Sequence, residues 1–412
     1  MNSFVIFIFW PFLGFINSFI SLFKDKRDKL LLTLLSGFIG LNFAITSDSP
    51  DINRYKEEFL RYGNYGFDYL ADYLYEFITL QEKHYDIGVQ LVYFLASRIT
   101  NNEHIFILIL GLIYGYFFAR VIIMLFGYLH TSTKNIYIYI FSAVIVVFFF
   151  PTQGINQFRF WTATMSFIYG YLLLNDGQRK GYYYLILGPL IHIGLLFLLF
   201  LYGILAVGKK ANYKILLLLL PLGLLLNVGF SGLIEPIVSF VGGSVEDKFT
   251  SYTGDRAELS FESFKERVWY AAYWRDISLY GLFCLNTVII LFKIGVKNLS
   301  KETRELFNIN IVFLFMALLM RGFFMHFRYY EVFIFFNLIF LVKLNYEYKI
   351  LQLKKNRFMN DIYLGIFLFI LFIKIPGILQ FVIPTFFISN CFTAWFFFDL
   401  QDTSTWDFIQ NL

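Results

Sequence analysis

Apolar stretches of about 20 residues recur from one end of this chain to the other, and a stretch of that length with few charges is what a helix needs to cross a bilayer. Composition agrees: of 412 residues, 58% are hydrophobic, 22% aromatic and only 15% charged. A soluble domain is nearer a quarter charged. A disordered chain is excluded by the scarcity of polar residues, and a disulfide scaffold by the presence of only two cysteines. The chain therefore reads as an all-α polytopic integral membrane protein, a single transmembrane domain over residues 1–412, with roughly 11–13 transmembrane or re-entrant helices.

Hydropathy places spans at Val5–Phe23, Leu30–Ile45, Ile105–Leu129, Ile136–Phe150, Phe158–Leu174, Ile215–Phe230, Ile277–Phe292, Phe307–Phe327, Tyr330–Val342, Tyr363–Lys374 and Gly377–Phe398. Two polar, acidic-leaning stretches, 46–86 and 242–267, are expected outside the cytoplasm, because Lys and Arg collect in cytoplasmic loops. The same rule accounts for the formal net charge of +5. Ile87–Ile99 is short and interrupted by Gln90, Ser97 and Arg98, so an interfacial or re-entrant helix is expected there. Basic clusters flank Tyr182–Ala206 on both sides, and this segment contains Gly188-Pro189. A broken hairpin that enters and leaves from the cytoplasm reconciles the charges, whereas the alternative has 87–99 crossing the membrane.

No HExxH, GxSxG, P-loop or Rossmann fingerprint is present, and no basic run suggests nucleic acid. No metal and no cofactor are expected. Ionisable groups at the ends of apolar helices are the informative residues, since charge there is expensive and is usually kept for function. Arg159 follows Pro151-Thr152-Gln153-Gly154-Ile155-Asn156, where one helix ends and another opens, and Asn156 shares its face at i, i+3. A guanidinium beside helix-start N–H groups suits a phosphate or diphosphate, while an arginine reaching lipid headgroups is the structural alternative.

Arg321, His326, Arg328 and Tyr329 form a second cluster. Arg321 and Arg328 stand seven residues apart, nearly on one helical face, where an anion between them would relieve their repulsion; Glu331 or an acidic loop residue could neutralise them instead. Asp48, Asp51, Arg54 and Tyr55 follow a span directly, so the carboxylates could bind sugar hydroxyls, act as a general base, or simply cap a helix. His192, isolated in apolar sequence, could contact phosphate, move a proton near neutral pH, or pair with a backbone carbonyl.

Taken in order, the first-loop Asp48, Asp51 and Tyr55, the acidic-x-Gly turn Asp86-Ile87-Gly88, the Asn156-x-x-Arg159 helix start, the lone His192 and the late Arg328-Tyr329-Tyr330 resemble the EpsG family of bacterial polysaccharide polymerases, related in role to Wzy O-antigen and capsule polymerases. The likeness covers about residues 40–345. The sequence departs from the pattern at Phe160, where Gln is common, and at Asp86, where Glu is more usual. The resemblance implies a GT-C-like glycosyltransferase bundle in the bacterial cytoplasmic membrane, with its site facing outward and no metal requirement. Its substrate would be an oligosaccharide linked to undecaprenyl diphosphate, and a chain-length regulator is a candidate partner.

On that reading Asp48, Asp51, His192 and Arg159 are catalytic, and Arg54, Tyr55, Asp86, Asn156, Arg321, His326, Arg328 and Tyr329 bind substrate. A flippase or transporter of lipid-linked oligosaccharide would also use buried cations. Transporters of that kind often carry matching broken helices in two halves, and only one break, in 182–206, is legible here. An O-antigen ligase-type glycosyltransferase is the nearer alternative.

Overall fold

The computed structural model describes residues 3–22, 28–46, 50–79, 86–129, 135–196, 198–199, 202–203, 212–226, 269–320, 326–352, 357–394 and 403–410. Among them the regular elements are helices, and the chain is an all-α membrane protein. Glu103–Leu129, Ile136–Asn156, Tyr273–Ile294 and Arg357–Gln380 are long and apolar enough to cross a bilayer. The expected polar loop 242–267 and the end of the 182–206 segment lie outside the described residues.

Contacts divide the chain into two units, one comprising Met1–Lys134, Val146–Leu199 and Lys374–Leu412, the other Asn135–Ile145 and Phe200–Ile373. The first unit opens with α1 (Ser3–Phe9) and α2 (Pro11–Leu22), so the expected first span is broken at Pro11. Helix α3 (Lys29–Leu41) is capped by Asp28, whose carboxylate accepts from Leu31 N–H at 3.0 Å.

Residues 46–86 hold two amphipathic helices, α4 (Pro50–Tyr62) and α5 (Phe67–Thr79), where the sequence suggested mainly loop. Ile52, Tyr55, Phe59 and Tyr62 recur at helical spacing and are at most 2% exposed. That stripe packs on α6 (Ile87–Ile99) and α7 (Glu103–Leu129), with Phe59 stacked on Phe106 at 4.3 Å. Arg98, at the end of α6, donates to the carbonyls of Tyr62, at 2.9 Å, and Tyr65, satisfying groups left open where α4 stops.

Helices α3 and α7 pack backbone against backbone through Ser36, Gly37, Gly40, Gly111 and Gly115, the small-residue contact that suits a membrane interior. A methyl group on Gly40 would lie 2.5 Å from the Ile107 carbonyl oxygen. Helix α8 (Ile136–Phe148) is followed by the one-turn α9 (Pro151–Asn156), α10 (Phe158–Asn175) and α11 (Gly181–Ile191). Gly177, at φ 76°, ends α10: its N–H bonds Leu174 O at 3.0 Å and Gln178 N–H bonds Leu173 O at 2.8 Å. This Schellman turn folds α11 back along α10.

In the second unit, α12 (Tyr213–Leu226) packs on α14 (Lys301–Leu319), and α13 (Trp269–Ile289) and α14 both pack on α15 (His326–Tyr348). Phe313 stacks on Phe333 at 4.7 Å. Helix α16 (Arg357–Gln380) contributes Tyr363, whose hydroxyl donates to Asn286 at 2.6 Å.

The chain's end departs from expectation. Helix α16 continues through Pro376 to Gln380, and beyond it the described part of the anticipated span 377–398 is turns and one short 3-10 segment, Pro384–Phe387, rather than a spanning helix. Ile383 is held extended before Pro384, and the Asn390 side chain accepts from Phe392 and Thr393 N–H, each at 2.9 Å, so turns win despite the apolar composition. Val382 instead pairs with Phe43 in an isolated antiparallel bridge, and α17 (Thr405–Gln410) follows, capped by Ser404.

Gly40→Val is expected to destabilise the protein by about 1–3 kcal/mol through overpacking. Gly365→Val, on an open face of α16 with no atom within 4 Å, should leave stability unchanged. Thermal unfolding midpoints of the two detergent-solubilised variants check the contrast.

Candidate functional site

Asp86 opens α6, yet its side chain makes no cap on its own helix. Its carboxylate reaches to two other elements instead. Oδ2 accepts from Arg159 Nη1 at 2.7 Å, Oδ1 and Oδ2 lie 3.1 and 3.2 Å from His192 Nδ1, and Oδ1 accepts from Ile193 N–H at 3.0 Å. The side chains are 4% exposed for Asp86, 12% for His192 and 25% for Arg159.

Local sequence explains the meeting. Helix α11 contains Pro189 and stops at His192, whose extended backbone (φ −148°, ψ 115°) swings the imidazole out of helical register. Leu195 and Leu196 N–H then bond His192 O and Ile193 O, opening a new turn. The Ile193 N–H at that opening is a donor without an intrahelical partner, and the Asp86 carboxylate supplies one. Gly88 makes the approach possible: a Cβ there would sit 3.0 Å from Ile191 Cα and 3.2 Å from Leu190 O. The acidic-x-Gly turn thus reads physically as a carboxylate plus the missing side chain that lets α11 come within its reach.

Arg159 enters from the second residue of α10, after the chain breaks at Gln157. Gln153, just before that break, accepts from Lys374 Nζ at 2.7 Å. The guanidinium lies 5.6 Å from the centre of the Tyr55 ring on α4, and Arg54 lies at the same distance from that ring. Phe160, the departure from the family pattern, sets its ring edge-on to His192 at 5.9 Å and so bounds the imidazole.

Burial pushes the Asp86 carboxyl up, but the hydrogen bond and charge of His192, the charge of Arg159 and the Ile193 N–H together outweigh it and hold the group well below the usual carboxylate range. Burial raises the Tyr55 phenol, with Arg159 opposing. Burial also raises the Tyr73 phenol, and the charge of Asp86 adds to the effect.

Of the residues singled out in sequence, Asp86, Arg159, His192 and Tyr55 come together, with Asn156 three residues before Arg159 and 8% exposed. The Arg159 charge is met inside the protein by Asp86. Asp51 sits in the first turn of α4, paired with Arg54 at 2.8 Å. Asp48 and Arg321 lie outside the described residues, as does the His326 side chain. The helix carrying Arg328 begins at His326, so the seven-residue spacing to Arg321 is not carried by a described helix.

Arg328 and the buried Tyr329 belong to the other unit, where Glu331 accepts from Arg275 Nη2 and Nε at 2.7 and 2.8 Å. Arg275 escaped the sequence reading. Its signal was an arginine between Trp274 and Asp276 at the start of a span, matched by a lone acidic residue, Glu331, in another. Tyr73 and Tyr93, 4% and 2% exposed, were missed as well.

These features define a polytopic, all-helical membrane protein in which a carboxylate joins an imidazole and a guanidinium at helix ends. The sequence matches the EpsG family over residues 30–387, and the protein belongs to that family. Membership points to membrane-bound polysaccharide polymerisation by glycosyl transfer. No curated protein and no solved structure matches the chain.

Asp86→Asn leaves Arg159 without its charge partner and should cost about 3–5 kcal/mol of stability. The pH dependence has a definite sign. A depressed carboxyl contributes fully above its unfolded value, about 3.9, and the contribution fades as pH falls toward the folded value. The gap in unfolding midpoint between wild type and Asp86→Asn should therefore be constant above about pH 5 and shrink only below about pH 4; thermal unfolding from pH 3 to 8 measures it.

Proposed function

We propose that the protein polymerises polysaccharide repeat units at the outward face of the bacterial cytoplasmic membrane, transferring a growing glycan from undecaprenyl diphosphate to the terminal sugar of a lipid-linked repeat unit. The observation that carries this reading is the Asp86 carboxylate gripping His192 Nδ1 and Arg159 at once. An ionised carboxylate only accepts hydrogen bonds, so it selects the His192 tautomer with the proton on Nδ1. Nε2 is then the basic nitrogen, in the orienter-and-base arrangement that activates hydroxyl nucleophiles in general.

In the proposed step the acceptor hydroxyl oxygen attacks the anomeric carbon of the donor glycan while its proton passes to His192 Nε2. A new C–O glycosidic bond forms, the anomeric C–O bond to the diphosphate breaks, and undecaprenyl diphosphate leaves with the bonding electrons. Arg159 meets the charge that develops on the leaving group. Its Nε is buried with no hydrogen-bond partner among the described residues, which leaves a donor available for an incoming oxygen. Asp51, already paired with Arg54, serves better to position a sugar or headgroup than as the base. The bonds from His192 and Arg159 to Asp86 favour an enzyme over a flippase, since moving a solute needs no oriented base.

His192→Gln should lower polymerisation about a hundred- to ten-thousand-fold, the usual worth of a general base. Arg159→Ala should do comparable damage. Chain-length ladders from a deletion strain complemented with each variant at normal level give the readout. Surface glycan capped at a single repeat unit is the expected outcome, wild-type ladders would remove the residue from the site, and loss of all outward glycan would favour the flippase.

A further inference from the structure

Helix α6 directs a second polar side chain to the region of Asp86. Gln90 follows Asp86 by four residues, and its N–H bonds the Asp86 carbonyl at 3.4 Å, so both side chains leave from one face of the helix. Gln90 Oε1 is buried with no hydrogen-bond partner among the described residues. The Gln90 side chain bonds the hydroxyl of Tyr73 on α5, which is 4% exposed and close enough to Asp86 and Arg159 to sense both charges. In α9, Asn156 Oδ1 is likewise buried without a partner among the described residues.

Buried amide oxygens in native proteins almost always accept a hydrogen bond, from the protein, from water or from a bound molecule. The chemistry of the missing group is restricted. An ionised diphosphate presents only acceptors and cannot satisfy an amide oxygen, whereas a sugar hydroxyl donates. Gln90 shares its helix face with the carboxylate that orients His192, and in the proposed reaction His192 takes the proton of the acceptor.

We propose that Gln90 and Tyr73 form an acceptor-sugar subsite, in which Gln90 Oε1 accepts from a hydroxyl of the acceptor sugar and Tyr73 fixes the amide, so that the pair decides which hydroxyl reaches His192. The inference rests on reading His192 as the base of a polymerase. Through Tyr73 it gives a positioning role at the site to helix α5, which carries none of the family motifs.

The test uses full-length protein in liposomes with the lipid-linked repeat unit extracted from a strain lacking this gene. Gln90→Met keeps side-chain length and removes the acceptor atom. KM for the repeat unit should rise about tenfold, the effect of one hydrogen bond, while binding of undecaprenyl diphosphate alone stays at the wild-type level and reports a folded protein. Tyr73→Phe should move KM the same way by less, and it carries the test by itself where Gln90→Met does not fold.

Unchanged KM in a variant that binds undecaprenyl diphosphate normally overturns the inference and leaves Gln90 Oε1 to water. Weakened undecaprenyl diphosphate binding with unchanged KM overturns it equally, by placing Gln90 at the donor end. Failure of the wild-type protein to elongate the repeat unit defeats the polymerase reading itself.

Discussion

One carboxylate, that of Asp86, ties the start of α6 to the open end of the hairpin that the Gly177 turn makes of α10 and α11. It anchors the start of α6, the first turn of α10 through Arg159, and the interruption after α11 through His192 and the Ile193 N–H. A buried charge in a membrane protein is tolerable only when it is paired and hydrogen-bonded. Each partner therefore needs the others: without Asp86 the Arg159 cation would be uncompensated, and without Arg159 and His192 a carboxylate only 4% exposed would have to become protonated. Mutual dependence of this kind fixes geometry more tightly than apolar packing does, because a cation and a carboxylate separated by an extra ångström lose directional bonds that lipid and core side chains cannot replace.

The surroundings serve that grip. Gly88 removes the one side chain that would hold α11 away, Pro189 and the extended His192 end α11 where its imidazole must emerge, and Phe160 bounds the ring. Helix α4 brings Tyr55 against Arg159 from the other side, and its apolar stripe on α6 and α7 locks it there. The small-residue contact of α3 with α7 in turn gives α7 a fixed backbone for the stacked Phe59 and Phe106. Membrane packing and site geometry are thus one connected set of contacts within this unit.

Much of this was legible in sequence because it is local. The bounds of α6, the break near His192 and the helix start before Arg159 follow from hydropathy, Gly188-Pro189 and Pro151, which act over a few residues. The ion pair of residues 86 and 159 is a tertiary event, and no spacing along the chain encodes it. Sequence reading assigned Arg159 to a diphosphate but did not foresee Asp86, which meets its charge within the protein. Sequence reading kept a helix at α4 only as an alternative and missed α5, because a window average sees their charged faces and misses an apolar stripe such as that of Ile52, Tyr55, Phe59 and Tyr62. Residues 377–398 misled in the opposite way: their composition is that of a span, but Pro384 and Asn390 settle the backbone locally.

The proposed reaction requires His192 to start uncharged, as a base must. Asp86 and Arg159 then cancel, and the centre would make no strong demand for an anion before chemistry begins. When His192 Nε2 accepts the acceptor's proton, the centre gains one positive charge at the step in which the leaving diphosphate gains negative charge. Interactions that strengthen only as charge develops raise the rate, while those equally strong in the ground state merely tighten binding. In the proposed reaction, pairing Arg159 with Asp86 would serve turnover: a bare guanidinium would hold a released diphosphate as firmly as the substrate, whereas a compensated one would draw on its full attraction only while the imidazolium persists and let go once that proton is lost.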